Sequence, residues 1–210
     1  MRLFRLRHRR AGHSNYGFFG DSAAPEVVQP RARYVNARDQ VGALKILAKL
    51  TRDSLLEPHL ATVRRAALAI TQDCPARDDW CELEAIFEGV KHGNPNVPGL
   101  EKGMRYVADP LLYDLFTSPY RILTLCKEGR CAGDCDDQSS LVAALAASIG
   151  FQAGLNAWGR KLNEPDHVFA VVRFPKKRPT GIVALDTSAD VGETEVGWHP
   201  PGGHNLYEWL

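Results

Sequence analysis

The chain has 210 residues, enough for one domain or one domain with a helical annex. With 44% hydrophobic and 24% charged residues, its composition is typical of a soluble globular protein, and a net charge of +1 gives no general signal for polyanion binding. No apolar run approaches the roughly 20 residues that span a bilayer, and the first ten residues lack the apolar core of a signal peptide.

Residues 1–36 form a basic and aromatic arm that differs from the rest of the chain. Its first ten residues contain five arginines, and the glycines and prolines that follow are interleaved with Tyr16, Phe18 and Phe19. This segment has too little periodic apolar surface to fold alone. A disordered tail, a mitochondrial transit peptide and an arm that docks on a partner or on nucleic acid phosphates are the alternatives. The acidic residues Asp21 and Glu26 fit a transit peptide poorly.

The segment 37–102 is predicted to be a helical region. Its three apolar stripes are Val41, Leu44, Leu47 and Ala48; Leu60, Val63, Ala67 and Ile70; and Trp80, Leu83, Ile86, Phe87 and Val90. Pro58 suits the first turn of the second helix, and Pro75 separates the second helix from the third. Glycines and prolines in residues 93–99 then predict a loop.

Residues 103–210 change from a helical to a β pattern. We expect a short extended segment at 104–110, a short helix from Ser118 to about Cys126, and a buried helix at 135–149 closed by Gly150. Strands are then predicted at 151–158, 168–174 and 182–185. Helices followed by an antiparallel meander predict the α+β class.

The buried helix is predicted to begin with a reactive thiol at Cys135. Asp134 is a good N-cap residue, and Asp137 suits the first turn. A thiol in that turn meets the positive end of the helix dipole, which favours thiolate. Neighbouring aspartates oppose this effect, so the thiolate would need a further cation such as a histidine. A small apolar residue at a helix start is the structural alternative.

Two polar residues flank the hairpin that follows. His167 opens its first strand and Asp186 closes its second. If the turn centres between Lys176 and Lys177, residue 167 pairs with residue 186, and the carboxylate can orient the imidazole. Together with Cys135, this arrangement would supply a nucleophile, a general base and an orienting carboxylate.

Several of these segments resemble the transglutaminase-like superfamily of papain-type folds. The similar motifs are Gly133-Asp134-Cys135-Asp136-Asp137, Asp166-His167-Val168-Phe169 and Ala184-Leu185-Asp186-Thr187, within residues 103–200. The segments Tyr106-Val107-Ala108-Asp109-Pro110, Phe116-Thr117-Ser118-Pro119 and Gly197-Trp198-His199-Pro200-Pro201-Gly202 are similar to a variant common in bacteriophage and prophage genes. The resemblance implies a helix carrying the cysteine, packed on an antiparallel sheet that carries the histidine and aspartate. It also implies a catalytic triad of Cys135, His167 and Asp186, and no cofactor or metal.

The five cysteines leave other arrangements open. Their odd number argues against a full disulfide framework and for a reducing compartment, so core or surface thiols are the default for Cys74 and Cys81. Structural zinc held by Cys126, Cys131, Cys135 and His167 is disfavoured, because the gaps differ from zinc-knuckle spacing. A disulfide between Cys126 and Cys131 is left open.

The sequence therefore predicts a phage-encoded cysteine hydrolase or acyltransferase that acts on peptide or amide bonds of a protein or peptide substrate. The alternative is a structural virion protein that keeps the fold and uses residues 1–36 and 198–210 for subunit packing or self-association. In either case we expect the arm to order on a partner and the tail to pack partly on its own domain. The expected location is the bacterial cytoplasm or a virion, with no membrane partner and a weak case for nucleic acid contact by the arm.

Overall fold

The computed structural model describes residues 33–36, 40–109, 113–162, 164–189 and 194–210. The helices are α1 (Gln40–Asp53), α2 (Leu60–Ile70), α3 (Asp79–Lys91), α4 (Pro119–Lys127) and α5 (Cys135–Ser148). The strands are β1 (Arg33–Asn36), β2 (Arg105–Tyr106), β3 (Tyr113–Phe116), β4 (Ala132–Gly133), β5 (Gln152–Gly159), β6 (His167–Phe174), β7 (Gly181–Leu185) and β8 (His204–Trp209). None of the helices in these ranges is both long and apolar enough to cross a membrane.

The three predicted N-terminal helices are present as α1, α2 and α3. Each buries most of its apolar stripe in a core shared with α5, while Val41 and Trp80 remain 37% and 40% exposed. The side chain of Asp78 accepts a hydrogen bond from the Cys81 N–H at 3.0 Å and so caps α3. The prediction that Pro58 lies in the first turn of the second helix is wrong, because α2 begins at Leu60 with His59 as its N-cap. The proline therefore precedes the first helical turn.

Helix α5 is buried on nearly all sides. Its residues 137–146 are all buried, and its neighbours are α1–α4 together with strands β5 and β6. Its buried serines fit this environment, because the hydroxyls of Ser139, Ser140 and Ser148 donate to carbonyls of the same helix. Gly150 lies just past the helix with φ +103°, a left-handed conformation that glycine adopts without steric cost. The prediction of a buried helix ending before Gly150 is confirmed.

One antiparallel sheet of four strands forms the second layer, in the order β7-β6-β5-β8. One face of this sheet, including Leu155, Ala170 and Leu185, packs against the α5 core. The other face carries a separate cluster of Trp158, Phe169, Val171 and Ala184, with Trp209 packed against it. The molecule thus belongs to the α+β class, as the sequence predicted.

Two small sheets lie outside this layer. Strand β1 pairs with β3 in antiparallel fashion and contains the last four residues of the predicted arm. Strand β2 pairs with β4 in parallel and sets Tyr106 opposite Gly133, two residues before Cys135. The predicted behaviour of the arm up to residue 32 lies outside the described residues.

The C-terminal tail folds back onto its own sheet. Strand β8 pairs with β5, and the Leu210 N–H donates to the Ala153 carbonyl at 3.0 Å. The Arg52 guanidinium donates to the Trp209 carbonyl at 2.9 Å, so α1 also holds the tail. The Arg173 guanidinium lies over the Trp209 ring, 4.6 Å from its centroid. The expected packing of the tail on its own domain is confirmed.

Because α5 lies at the centre of the core, truncating one of its buried side chains should strongly reduce the free energy of unfolding. Leu145 is fully buried, so Leu145→Ala should reduce the free energy of unfolding by about 2–5 kcal/mol. Leu68 on α2 is 55% exposed, and Leu68→Ala should cost no more than about 0.5 kcal/mol. Urea unfolding followed by circular dichroism compares the two variants. Equal losses would contradict the placement of α5 at the centre of the core.

Candidate active site

Cys135 is the first residue of α5, at a capped helix start. An Asp134 carboxylate oxygen accepts from the N–H of Asp136 at 3.1 Å and of Asp137 at 3.4 Å, which confirms the predicted N-cap. Gly133 permits this tight approach, because a Cβ there would lie 2.5 Å from the Cβ of Asp137. The sequence of the loop therefore fixes the thiol at the end of the buried helix.

The electrostatic surroundings of Cys135 oppose ionisation. Burial raises the pKa of the thiol well above its ordinary value, and the charges of Asp136 and Asp134 raise it further. The backbone N–H of Val168 lowers this pKa, but to a smaller extent. The predicted opposition of the neighbouring aspartates to a thiolate is therefore present, and burial of the thiol, which the sequence did not indicate, adds the larger effect. The thiol is protonated at rest and must lose its proton during any reaction.

His167 and Asp186 form the expected pair. The ring Nε2 lies 2.7 Å from one Asp186 carboxylate oxygen, with 19% of the histidine side chain and 1% of the aspartate side chain exposed. Because an ionised carboxylate only accepts, Nε2 carries the proton and Nδ1 is left with a free lone pair. The other Asp186 oxygen accepts from the Ser188 hydroxyl and the Ala189 N–H, each at 3.2 Å. The carboxylate is thus fixed from both sides and can hold the imidazole in one orientation.

The hairpin register differs from the predicted one by two residues. Val171 pairs with Ala184. Continuing this register by two residues sets Asp186 opposite Phe169 rather than opposite His167. The turn is displaced because the Lys176 N–H donates to Asp79 at 2.8 Å and Arg178 adopts φ +58°. A shift of two residues keeps both side chains on one face of the sheet, so the pair still forms.

The start of β6 brings this pair to the thiol. Val168, which follows His167, places its backbone N–H near Cys135, and the charge of Asp186 also reaches the thiol and raises its pKa. The described structure contains no hydrogen bond between Cys135 Sγ and the His167 ring; the sulfur contacts an Asp136 carboxylate oxygen at 3.9 Å instead. Cys135 and Asp186 thus lie close enough to interact electrostatically where α5 and β6 begin, while the thiol is turned towards Asp136 and the His167 ring contacts Asp186.

Five carboxyl groups surround this end of α5. Burial raises the pKa of Asp134 to about 7, and the neighbouring charge of Asp109 adds to the shift. Burial likewise raises the pKa values of Asp136 and Asp137, helped in both by the charge of Asp134. Asp114 is the fifth group, and its pKa is raised by burial. Among the described residues, no group of three His, Cys, Asp or Glu side chains is placed to hold a metal ion. The five carboxyl groups form an acidic wall at this end of α5.

Tyr106 is a neighbour that residue-by-residue reasoning missed. Burial raises the pKa of its phenol, as do the charges of Cys135 and Asp134, although 49% of the residue is exposed. The phenol therefore keeps its proton and can donate a hydrogen bond to a group beside the thiol. The available signal was that Tyr106 lies in the predicted extended segment 104–110 and in one of the motifs that resemble the transglutaminase-like superfamily.

Four of the five cysteines are paired. Disulfides join Cys74 to Cys81 and Cys126 to Cys131, and Cys135 is the free cysteine of the described chain. The prediction that Cys74 and Cys81 are unpaired thiols is therefore wrong. The zinc alternative also fails, because two of its four ligands are consumed by a disulfide.

Comparison with known proteins adds no assignment. The sequence matches no protein-family model and no curated protein.

Replacing Asp134 by a neutral N-cap residue should make the Cys135 thiol more reactive. Asp134→Asn keeps an N-capping oxygen but removes a charge that raises the Cys135 pKa. At pH 8 and above, where wild-type Asp134 is ionised, the variant should react with iodoacetamide about fivefold faster, which corresponds to about 1 kcal/mol of charge interaction. Well below pH 7 the two rates should converge. The pH dependence of labelling measures this.

Asp78→Asn, which changes the N-cap of α3 far from the thiol, is the matched control and should leave the rate unchanged. Since the folded-state pKa of Asp134 is raised, its protonated form stabilises the fold, and this contribution disappears as pH rises through about 7. The Asp134→Asn variant should therefore also unfold at higher urea concentration than wild type at pH 8. Equal labelling rates at pH 9 would contradict the charge effect.

Proposed function

We propose that the protein is a cysteine hydrolase or acyltransferase of the papain-type, transglutaminase-like kind, acting on peptide or amide bonds. The observation that carries the proposal is the 2.7 Å bond from His167 to buried Asp186, held beside the helix start that bears the free cysteine. The order of the three residues along the chain and the motifs around them support the same family. The helix packed on an antiparallel sheet is compatible with its core.

The first step is attack by Cys135 on a carbonyl carbon. Because burial and the aspartates keep the thiol protonated, the proton must move to His167 Nδ1 as the sulfur–carbon bond forms. Asp186 holds the ring in the required tautomer and stabilises the imidazolium that results. A rotation of the Cys135 side chain away from Asp136 and towards the ring precedes this transfer.

The tetrahedral oxyanion then needs donors. Asp134 accepts from the N–H groups of Asp136 and Asp137. By its position at the helix start, the Cys135 N–H is the first donor we assign to the oxyanion. Collapse of the intermediate returns the proton from Nδ1 to the leaving amine and yields a thioester on Cys135. Water or a second amine attacks the thioester, which gives hydrolysis or acyl transfer.

A structural role in a virion is compatible with this chemistry. Two segments of the sequence support it: the arm of residues 1–36, most of which lies outside the described residues, and the aromatic tail of residues 198–210. Within the tail, Leu206 and Tyr207 of β8 remain 37% and 43% exposed.

Alkylation of single-site variants tests the proposed base. His167→Ala should slow iodoacetamide labelling of Cys135 at neutral pH by at least about tenfold, since general bases typically contribute about 10²–10⁴-fold. Asp186→Asn should slow it less, because the ring remains and loses only its orientation. Rates are read by tryptic mass mapping of the Cys135 peptide without reduction of the disulfides.

His199→Ala is the matched control, since His199 is exposed and stacks on Phe169 with ring centroids 6.4 Å apart. This variant should label at the wild-type rate. If His167→Ala and His199→Ala label equally fast, His167 is not the base and the triad is wrong even though the fold stands.

A further inference from the structure

A recess lies on the helical side of the molecule, on elements that do not contain the Cys135 site. It occupies about 170 Å³ between α2 and α4, beside the loop that follows α3. Ala66, Val97 and Leu123 are buried and form its apolar floor. Small-molecule sites typically combine such a floor with a few polar groups at fixed positions.

The loop side of the recess is rigid. The Asn94 N–H donates to the Leu100 carbonyl at 2.9 Å, and the Val97 N–H donates to the Asn94 carbonyl at 3.2 Å. Gly99 packs so tightly on the end of α4 that a Cβ there would lie 2.0 Å from the Cys126 carbonyl oxygen. The recess is therefore formed before any ligand arrives, which lowers the entropic cost of binding.

Two cations without acidic partners line the same recess. Arg65 on α2 and Lys127 on α4 are exposed, and neither forms an ion pair with any described residue. Glu128, the acidic residue next to Lys127 in sequence, is instead engaged by Arg121 and Arg130. Lys127 also complements the negative end of α4, but Arg65 lies in the middle of α2, where no helix end requires a cation.

We propose that this recess binds a small carboxylate with an apolar body. The carboxylate meets Arg65 and Lys127, and the apolar body covers Ala66, Val97 and Leu123. Arginine binds a carboxylate through two parallel hydrogen bonds, which makes it the main determinant of affinity here. A cavity of about 150 Å³ accommodates one benzene ring, so a volume of about 170 Å³ fits a carboxylate on a single ring or a short alkyl chain.

Titration of the full chain with sodium benzoate tests the proposal. Amide NMR shifts should change in α2, α4 and residues 94–98, and benzamide, which has the same shape but no charge, should bind about tenfold more weakly. Arg65→Gln should weaken benzoate binding by about tenfold and Lys127→Gln by less, and both should leave benzamide binding unchanged. Both side chains are exposed, so neither variant should disturb folding.

Arg64→Gln is the matched control, because Arg64 is a neighbouring exposed arginine on α2 that does not line the recess. It should bind benzoate as tightly as wild type. Shift changes confined to other regions, equal binding of benzoate and benzamide, or an equal effect of Arg64→Gln and Arg65→Gln would each overturn the proposal.

Discussion

The burial of α5 is the constraint on which the rest of the structure depends. A helix that is buried on every side needs partners all round, and four helices and a sheet supply them. Only its first turn reaches a polar environment, where Asp134 caps it and Cys135 emerges. Since β6 packs on the same helix, the Val168 N–H at its start lies beside that turn, and His167 precedes it in the strand.

The same arrangement sets the chemistry of the thiol. Placing Cys135 at the end of a buried helix desolvates it, and the capping aspartates add negative charge, so its pKa rises instead of falling. A standing thiolate–imidazolium pair is therefore not the resting state of this site. In the proposed reaction, deprotonation is therefore coupled to attack, which gives the His167–Asp186 pair a larger role than it would have beside a preformed thiolate.

Local signals in the sequence predicted the parts of the fold that depend on local physics. The apolar run after Cys135, Asp134 before it and Gly150 after it were enough to define α5, since capping and periodicity act over a few residues. The contact between His167 and Asp186 was also predicted, because residues two apart in a strand share a face and the register error was two.

The features that escaped prediction depend on distant partners. The hairpin register follows from the docking of Lys176 on Asp79, almost a hundred residues away. The pairing of β8 with β5 and the position of Tyr106 opposite Gly133 likewise join segments that no local pattern relates. The two disulfides instead close short loops, and the spacing of their cysteines did not distinguish them from free thiols. The direction of the Cys135 pKa shift depends on a balance between the helix dipole and burial, and burial is known only once the fold is known.

Trapping of an acyl-enzyme tests the central claim most directly. Brief incubation with p-nitrophenyl acetate at neutral pH, followed by acid quench and intact-mass measurement, should give one acetyl group on the wild-type chain, mapped to Cys135. Cys135→Ser should carry none at the same time point, and His167→Ala should acetylate much more slowly. An acetyl group found only on lysines, or equally on wild type and Cys135→Ser, would contradict the assignment of Cys135 as the nucleophile.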